Sequence, residues 1–173
     1  SVIARARKIR CLVMDVDGVL TDGRMGLTER GDELKSFYSR DGVAVALARR
    51  AGLTLALITG ESSTIGKVRG HRLGIDHVLL GVRRKGESLE ALMREHGLDR
   101  EAVAYMGDDL LDLPALQRCG LAVAVADAAP EVRAAAHVVT RARGGQGAVR
   151  EIIETLLLAA LILVAGQLLG GRT

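Results

Sequence analysis

Aromatic side chains are scarce in this sequence: one Phe, two Tyr and no Trp among 173 residues. Proteins that grip single-stranded nucleic acid stack bases on aromatic rings, so a platform of that kind is excluded. The 24 basic and 21 acidic residues leave a net charge of +3 and are interspersed along the chain. Without a long basic run, nucleic acid is not an expected partner. Two Pro, no low-complexity tract and 49% hydrophobic residues exclude a disordered protein. Cys11 and Cys119 stand alone, and His71, His77, His96 and His137 lack ligand spacing, which excludes a zinc site and leaves two buried thiols. Lysine is rare as well: Lys8, Lys35, Lys67 and Lys85 only, so a lysine within a motif stands out. The basic stretch from Ser1 to Arg10 is not followed by the apolar segment of a signal peptide, and a cytoplasmic setting is expected.

The length suits one domain spanning residues 1–173. With so few rings, its core must be Ala, Val, Leu and Ile. Short apolar runs recur at Ile9–Met14, Leu53–Ile58, His77–Leu80, Val103–Met106, Leu121–Val125 and His137–Val139. Each ends in Gly, Asp or Thr, the pattern of buried parallel strands. Helical patterns lie between them at Gly42–Ala51, Ser62–Leu73, Gly86–His96, Leu110–Cys119 and Pro130–Ala136, with a last helix from near Gly147 toward Leu169. Such alternation predicts an α/β domain with a doubly wound, mostly parallel, Rossmann-like sheet. Gly23–Tyr38 breaks the beat and reads as a β-hairpin projecting from that sheet. The eleven residues Leu156–Gly166 carry no polar side chain, too short a run to span a bilayer. Within the tail 144–173 they read as a subunit interface or core helix, with membrane contact as the second reading.

Ligands of such sheets bind beyond the carboxyl ends of the strands, where this sequence concentrates its polar residues. After the first strand comes Asp15-Val16-Asp17-Gly18-Val19-Leu20-Thr21-Asp22-Gly23, two carboxylates entering a glycine turn. The second strand delivers Thr59-Gly60, a hydroxyl and a free N–H suited to a phosphate oxygen. Lys85 opens the helix after the third, and the fourth ends in Gly107-Asp108-Asp109-Leu110-Leu111-Asp112, carboxylates suited to Mg²⁺.

In order and placement, DVDGVLTDG, ITG, Lys85 and GDDLLDLP resemble the four motifs of the haloacid dehalogenase-like phosphohydrolases. The gaps from Asp15 to Thr59 and from Thr59 to Lys85 hold no cap domain, as in the cap-less branch. Arg40-Asp41-Gly42 and Gly144-Gly145-Gln146-Gly147-Ala148-Val149-Arg150-Glu151 resemble markers of 3-deoxy-D-manno-octulosonate 8-phosphate phosphatases and related nonulosonate 9-phosphate phosphatases. The resemblance implies a Mg²⁺-dependent phosphatase in which Asp15 is the nucleophile and Asp17 the acid and base. It further implies metal ligation by Asp15, Asp17 (through its carbonyl) and Asp108, support from Asp109 and Asp112, and phosphate binding by Thr59, Gly60 and Lys85. A cap-less site is open, and the family closes it by tetramerising. The hairpin, Arg40 and the segment Gly144–Arg150 are candidates for covering a neighbour's site, with Arg40 and Arg150 matched to an anionic sugar acid.

Two departures bear on the substrate. Glu61 stands where the octulosonate phosphatases have Arg; with Arg72 eleven positions on, it resembles the nine-carbon enzymes, and the helical pattern sets both on one helix face. Arg84 precedes Lys85 where the family has Asp. The eight- and nine-carbon substrates both stay open. So do an inactive oligomerisation domain for a sugar nucleotidyltransferase and a broad phosphatase of small phosphoesters.

Overall fold

The computed structural model describes residues 1–75 and 77–170. Asp76 and residues 171–173, the end of the expected tail, lie outside the described residues. Six parallel strands form the main sheet: β1 (Cys11–Met14), β4 (Thr54–Ile58), β5 (His77–Leu79), β6 (Val103–Gly107), β7 (Leu121–Ala124) and β8 (Val138–Val139). Their order is β5-β4-β1-β6-β7-β8, which puts β1 between β4 and β6. Every residue of β1, β6 and β7 is buried, as continuous apolar runs require when both faces of a parallel sheet are covered. The expected strands are all present, and the doubly wound α/β class holds.

Helices flank the sheet in two groups. One contains α1 (Val2–Ala6), α2 (Ser39–Arg50) and α7 (Ala148–Gly170), with α7 packed on both others; the second contains α4 (Lys85–Glu95), α5 (Leu113–Leu116) and α6 (Pro130–Ala135). The remaining helix, α3 (Ile65–Leu73), packs on α2 and β5. Helix α1 was not anticipated, because five residues are too few to display a helical period; it is capped by the Ser1 side chain, which accepts from Ala4 N at 3.3 Å. The helix expected over Leu110–Cys119 divides into a 3₁₀ turn at Leu110–Asp112 and then α5. Asp109 caps that turn and Asp112 is tied back to it, which tightens the chain there. Cys11 and Cys119 are buried and unpaired, their thiols pushed up to about 12 and about 11 by burial.

The expected hairpin is present as a separate antiparallel pair, β2 (Gly26–Leu27) with β3 (Glu33–Leu34). Strands of two residues are marginal alone, and Met25, Leu27 and Leu34 are exposed. Helix α7 is buried along its first half, through Ile152, Ile153, Leu156 and Ala159, but every residue from Ala160 to Leu169 is exposed. By length and composition it is the one helix among the described residues apolar enough to cross a membrane.

The glycine-rich segment before α7 is a packed element. Gly144 N donates to Asp127 Oδ1 at 2.9 Å and Gly145 N to Val19 O at 3.0 Å. A Cβ on Gly144 would run into the carbonyl of Gly18. Gly144 and Gly145 therefore back the turn after β1 of their own chain. Overpacking against backbone is destabilising by about 1–3 kcal/mol, so Gly144→Ala is expected to lower the thermal midpoint clearly. Gly166→Ala on exposed α7, where nothing lies within contact distance, should leave it unchanged or slightly raised.

Candidate active site

Four strand ends meet at the carboxyl edge of the sheet. Asp15 follows β1 and donates its N–H to Met106 O on β6 at 3.0 Å, which anchors the loop after β1 to the neighbouring strand. Thr59 follows β4 and is buried; its hydroxyl oxygen accepts from Glu61 N at 3.2 Å. Lys85 opens α4, and Asp108 follows β6. Asp15, Asp17, Thr59, Gly60, Lys85, Asp108, Asp109 and Asp112 all line one open cleft of about 520 Å³.

Lys85 is the hub of this arrangement. Its ammonium lies 2.9 Å from Asp15 Oδ2 and 2.7 Å from Asp112 Oδ1, with its side chain 2% exposed. Burial alone would lower its pKa, but the two carboxylates outweigh that and hold it above its ordinary value. Arg84 takes no part: its guanidinium faces Glu87 in solvent at 3.3 Å. The lysine is thus held without the acidic neighbour expected before it.

Asp112 has no oxygen to spare. Oδ1 accepts from Lys85 and, at 2.7 Å, from the Tyr105 hydroxyl; Oδ2 accepts from Asp108 N at 2.9 Å and Asp109 N at 3.2 Å. It organises the loop and the lysine. Asp109 accepts from its own neighbour, Leu110 N, at 2.7 Å. Tyr105, fully buried, is a site residue that sequence reasoning missed; the rarity of tyrosine, just before GDD, was the available signal.

Single oxygens of Asp15, Asp108 and Asp112 lie within 4.8 Å of one another. With Asp112 saturated, Asp15 and Asp108 retain the capacity to bind a cation, an all-oxygen donor set that fits Mg²⁺. Gly18, at φ +83°, makes room for Asp108, whose carboxylate occupies the space a Cβ would take. Burial pushes the Asp108 carboxyl up to about 8, with the charges of Asp112, Asp15 and Asp109 adding to it and Lys85 opposing. Burial and then Asp112 likewise raise Asp15, to about 6, against Lys85 and the Val16 N–H. The cluster holds more negative charge than one ammonium balances.

The residues expected to meet the sugar are dispersed. Glu61 lines the cleft. It precedes α3, which starts at Ile65, so the expected shared helix face with Arg72 does not exist; Arg72 is exposed near the far end of α3. Arg40 is exposed on α2, and Arg150 pairs with Glu154 at 2.7 Å while its N–H donates to buried Asp41 at 2.9 Å. None of these three arginines lines the cleft. A second missed residue is Lys35, beside β3, whose ammonium lies 2.8 Å from Asp17 Oδ2.

A parallel sheet with two aspartates after its central strand, a buried lysine and a second acidic loop, uncapped among the described residues, defines a site of the haloacid dehalogenase-like class. Residues 76–153 match the family model for haloacid dehalogenase-like hydrolases. The chain is 44% identical to the 3-deoxy-D-manno-octulosonate 8-phosphate phosphatase of Escherichia coli K12 over 158 residues, 91% of this chain and 84% of that protein. It superposes on the Yersinia pestis enzyme of the same name with a TM-score of 0.90 at 43% identity, covering 92% of this chain and 86% of the other. The Moraxella catarrhalis enzyme, solved with magnesium, phosphate and KDO, matches with a TM-score of 0.90 at 36% identity over 95% and 96% of the two chains. This chain belongs to the 3-deoxy-D-manno-octulosonate 8-phosphate phosphatase family.

An acid whose folded-state pKa is raised keeps a proton that the unfolded chain releases. Metal-free stability should therefore fall as pH rises from about 4 toward 8, the span between ordinary and raised values. A divalent cation replaces those protons. Mg²⁺ is expected to raise the unfolding temperature more at pH 8 than at pH 5, a contrast that thermal scans with and without the metal will read.

Proposed function

We propose that this chain is a Mg²⁺-dependent phosphatase that hydrolyses 3-deoxy-D-manno-octulosonate 8-phosphate to the free sugar acid and inorganic phosphate. The observation that carries this reading is Lys85 held between Asp15 and Asp112 at the strand edge, together with relatives of that name across most of the chain.

Asp15 uses a carboxylate oxygen to attack phosphorus while the bond from phosphorus to the sugar oxygen breaks, giving an aspartyl-phosphate. Asp17 transfers its proton to the departing oxygen, then takes a proton from water as the water oxygen attacks phosphorus and the Asp15–phosphorus bond breaks. Lys85 and Thr59, with the Gly60 N–H, hold phosphoryl oxygens. Asp15, the Asp17 carbonyl and Asp108 would hold Mg²⁺, which supplies charge neutralisation between the carboxylates and the phosphate. Asp112 keeps Lys85 and the Asp108 loop in place.

Asp15→Asn is expected to lower kcat by at least about 10³-fold in protein whose circular dichroism shows the fold retained; a rate near wild type would overturn the nucleophile assignment. Glu61 faces the cleft and belongs to the nine-carbon pattern. Phosphate release is therefore best measured on eight- and nine-carbon substrates side by side, with a small phosphoester as the third arm. The eight-carbon ester should give the highest kcat/KM. A flat profile would favour a broad phosphatase, and no turnover on any of them an inactive oligomerisation domain.

The assembly in this reading is a homotetramer. The cleft is open, and the apolar residues exposed on the hairpin and on the second half of α7 are surfaces that neighbouring copies would cover. Arg40, Arg72 and Arg150 would then serve the cleft of a neighbour. The free buried thiols accord with a cytoplasmic setting. Replacing Leu27 and Leu34 together by Glu should shift the mass in light scattering from tetramer toward smaller species and lower kcat/KM; an unchanged mass would sink the hairpin's role in assembly.

A further inference from the structure

Asp17 is held by a lysine of the hairpin. The Lys35 ammonium lies 2.8 Å from its Oδ2, with the lysine side chain 2% exposed and the aspartate side chain 28% exposed. Asp17 lines the cleft, whereas Lys35 is not among the residues lining it. Among the described residues, no other side chain hydrogen-bonds to the Asp17 carboxylate. Lys35 directly follows β3, and the hairpin it belongs to pairs through only two residues on each strand. Its nearly complete burial is unusual for an ammonium, which is rarely fully buried unless paired.

We infer that Lys35 is a positioning residue: by fixing Oδ2 of Asp17 it presents Oδ1 to the oxygen that leaves phosphorus. The inference rests on the reading of Asp17 as proton donor. In the first half-reaction the Asp15–phosphorus bond forms, the phosphorus–oxygen bond to the leaving group breaks, and the proton on Asp17 Oδ1 passes to that oxygen. A sugar alkoxide needs this proton, whereas p-nitrophenolate leaves without it. Lys35 acts through orientation, and small misplacements of a reacting group are costly in rate.

The test is the ratio of kcat/KM for the sugar phosphate to kcat/KM for p-nitrophenyl phosphate, since kcat/KM reports steps through departure of the first leaving group. Both substrates are measured on one enzyme preparation, so any unfolded fraction cancels. Lys35→Met is expected to lower the ratio roughly 10- to 100-fold, Lys35→Arg to recover part of that loss, and Asp17→Asn to lower the ratio at least as far as Lys35→Met. Equal losses on both substrates with Lys35→Met, or none, would overturn the positioning role and leave Lys35 an anchor of the hairpin. If Asp17→Asn itself spares the ratio, the proton-donor reading fails and takes the Lys35 role with it. A collapse with Asp17→Asn beside an intact ratio in Lys35→Met removes the Lys35 role alone.

Discussion

An ammonium taken out of water is costly by several kcal/mol unless carboxylates and hydrogen bonds replace its hydration, and at the carboxyl edge of this sheet that requirement organises everything nearby. Lys85 can be buried only because Asp15 and Asp112 close on it from β1 and from the turn after β6. Asp112 in turn is held by Tyr105 and by two backbone N–H groups of the acidic loop. The lysine thereby links three strand ends into one network whose members depend on one another. Yet one cation does not balance Asp15, Asp108 and Asp112, and burial, with that surplus negative charge added to it, raises the pKa values of Asp15 and Asp108. The same surplus makes the site receptive to Mg²⁺ and hostile to a phosphate monoester without it.

The two sides of this centre are built differently. Against the loop after β1 lie backbone contacts with no room for a methyl group, Gly144 on Gly18 and Gly145 on Thr21 and Asp22. In front lie a small hairpin with exposed apolar side chains and an open cleft. The acidic loops thus follow packed, doubly covered strands, while the hairpin beside them stands on strands of two residues.

Most of the fold was legible because buried parallel strands announce themselves. Ile9–Met14 gives way to Asp15 at once and Val103–Met106 to Asp108 after a single glycine, and that switch marks both the strand end and the site. What was hidden depends on side-chain direction. Asp108, Asp109 and Asp112 are equivalent as letters and all line the cleft; only the fold leaves one with oxygens free, makes one a turn cap and closes one in a hydrogen-bond shell. Glu61 and Arg72 were placed on one helix because Ser62–Leu73 has helical character, but the chain between Glu61 and Thr64 stays irregular and α3 begins at Ile65. Lys35 gave no period to read, since a hairpin of two-residue strands is too short for alternation to reveal which side chain turns inward. Gly144–Gly147 looks in sequence like a loop free to reach a neighbour; its close approach to Gly18 and Thr21 is a tertiary fact.

The backing of the Asp15 turn by Gly144 and Gly145 also orders events during synthesis. Asp15 leaves the ribosome some 130 residues ahead of Gly144 and Gly145, which brace its loop. The acidic turn after β1 must therefore wait, with its excess negative charge, until the segment before α7 has been made. The final shape of that turn is acquired late, when a distant part of the chain packs back onto it.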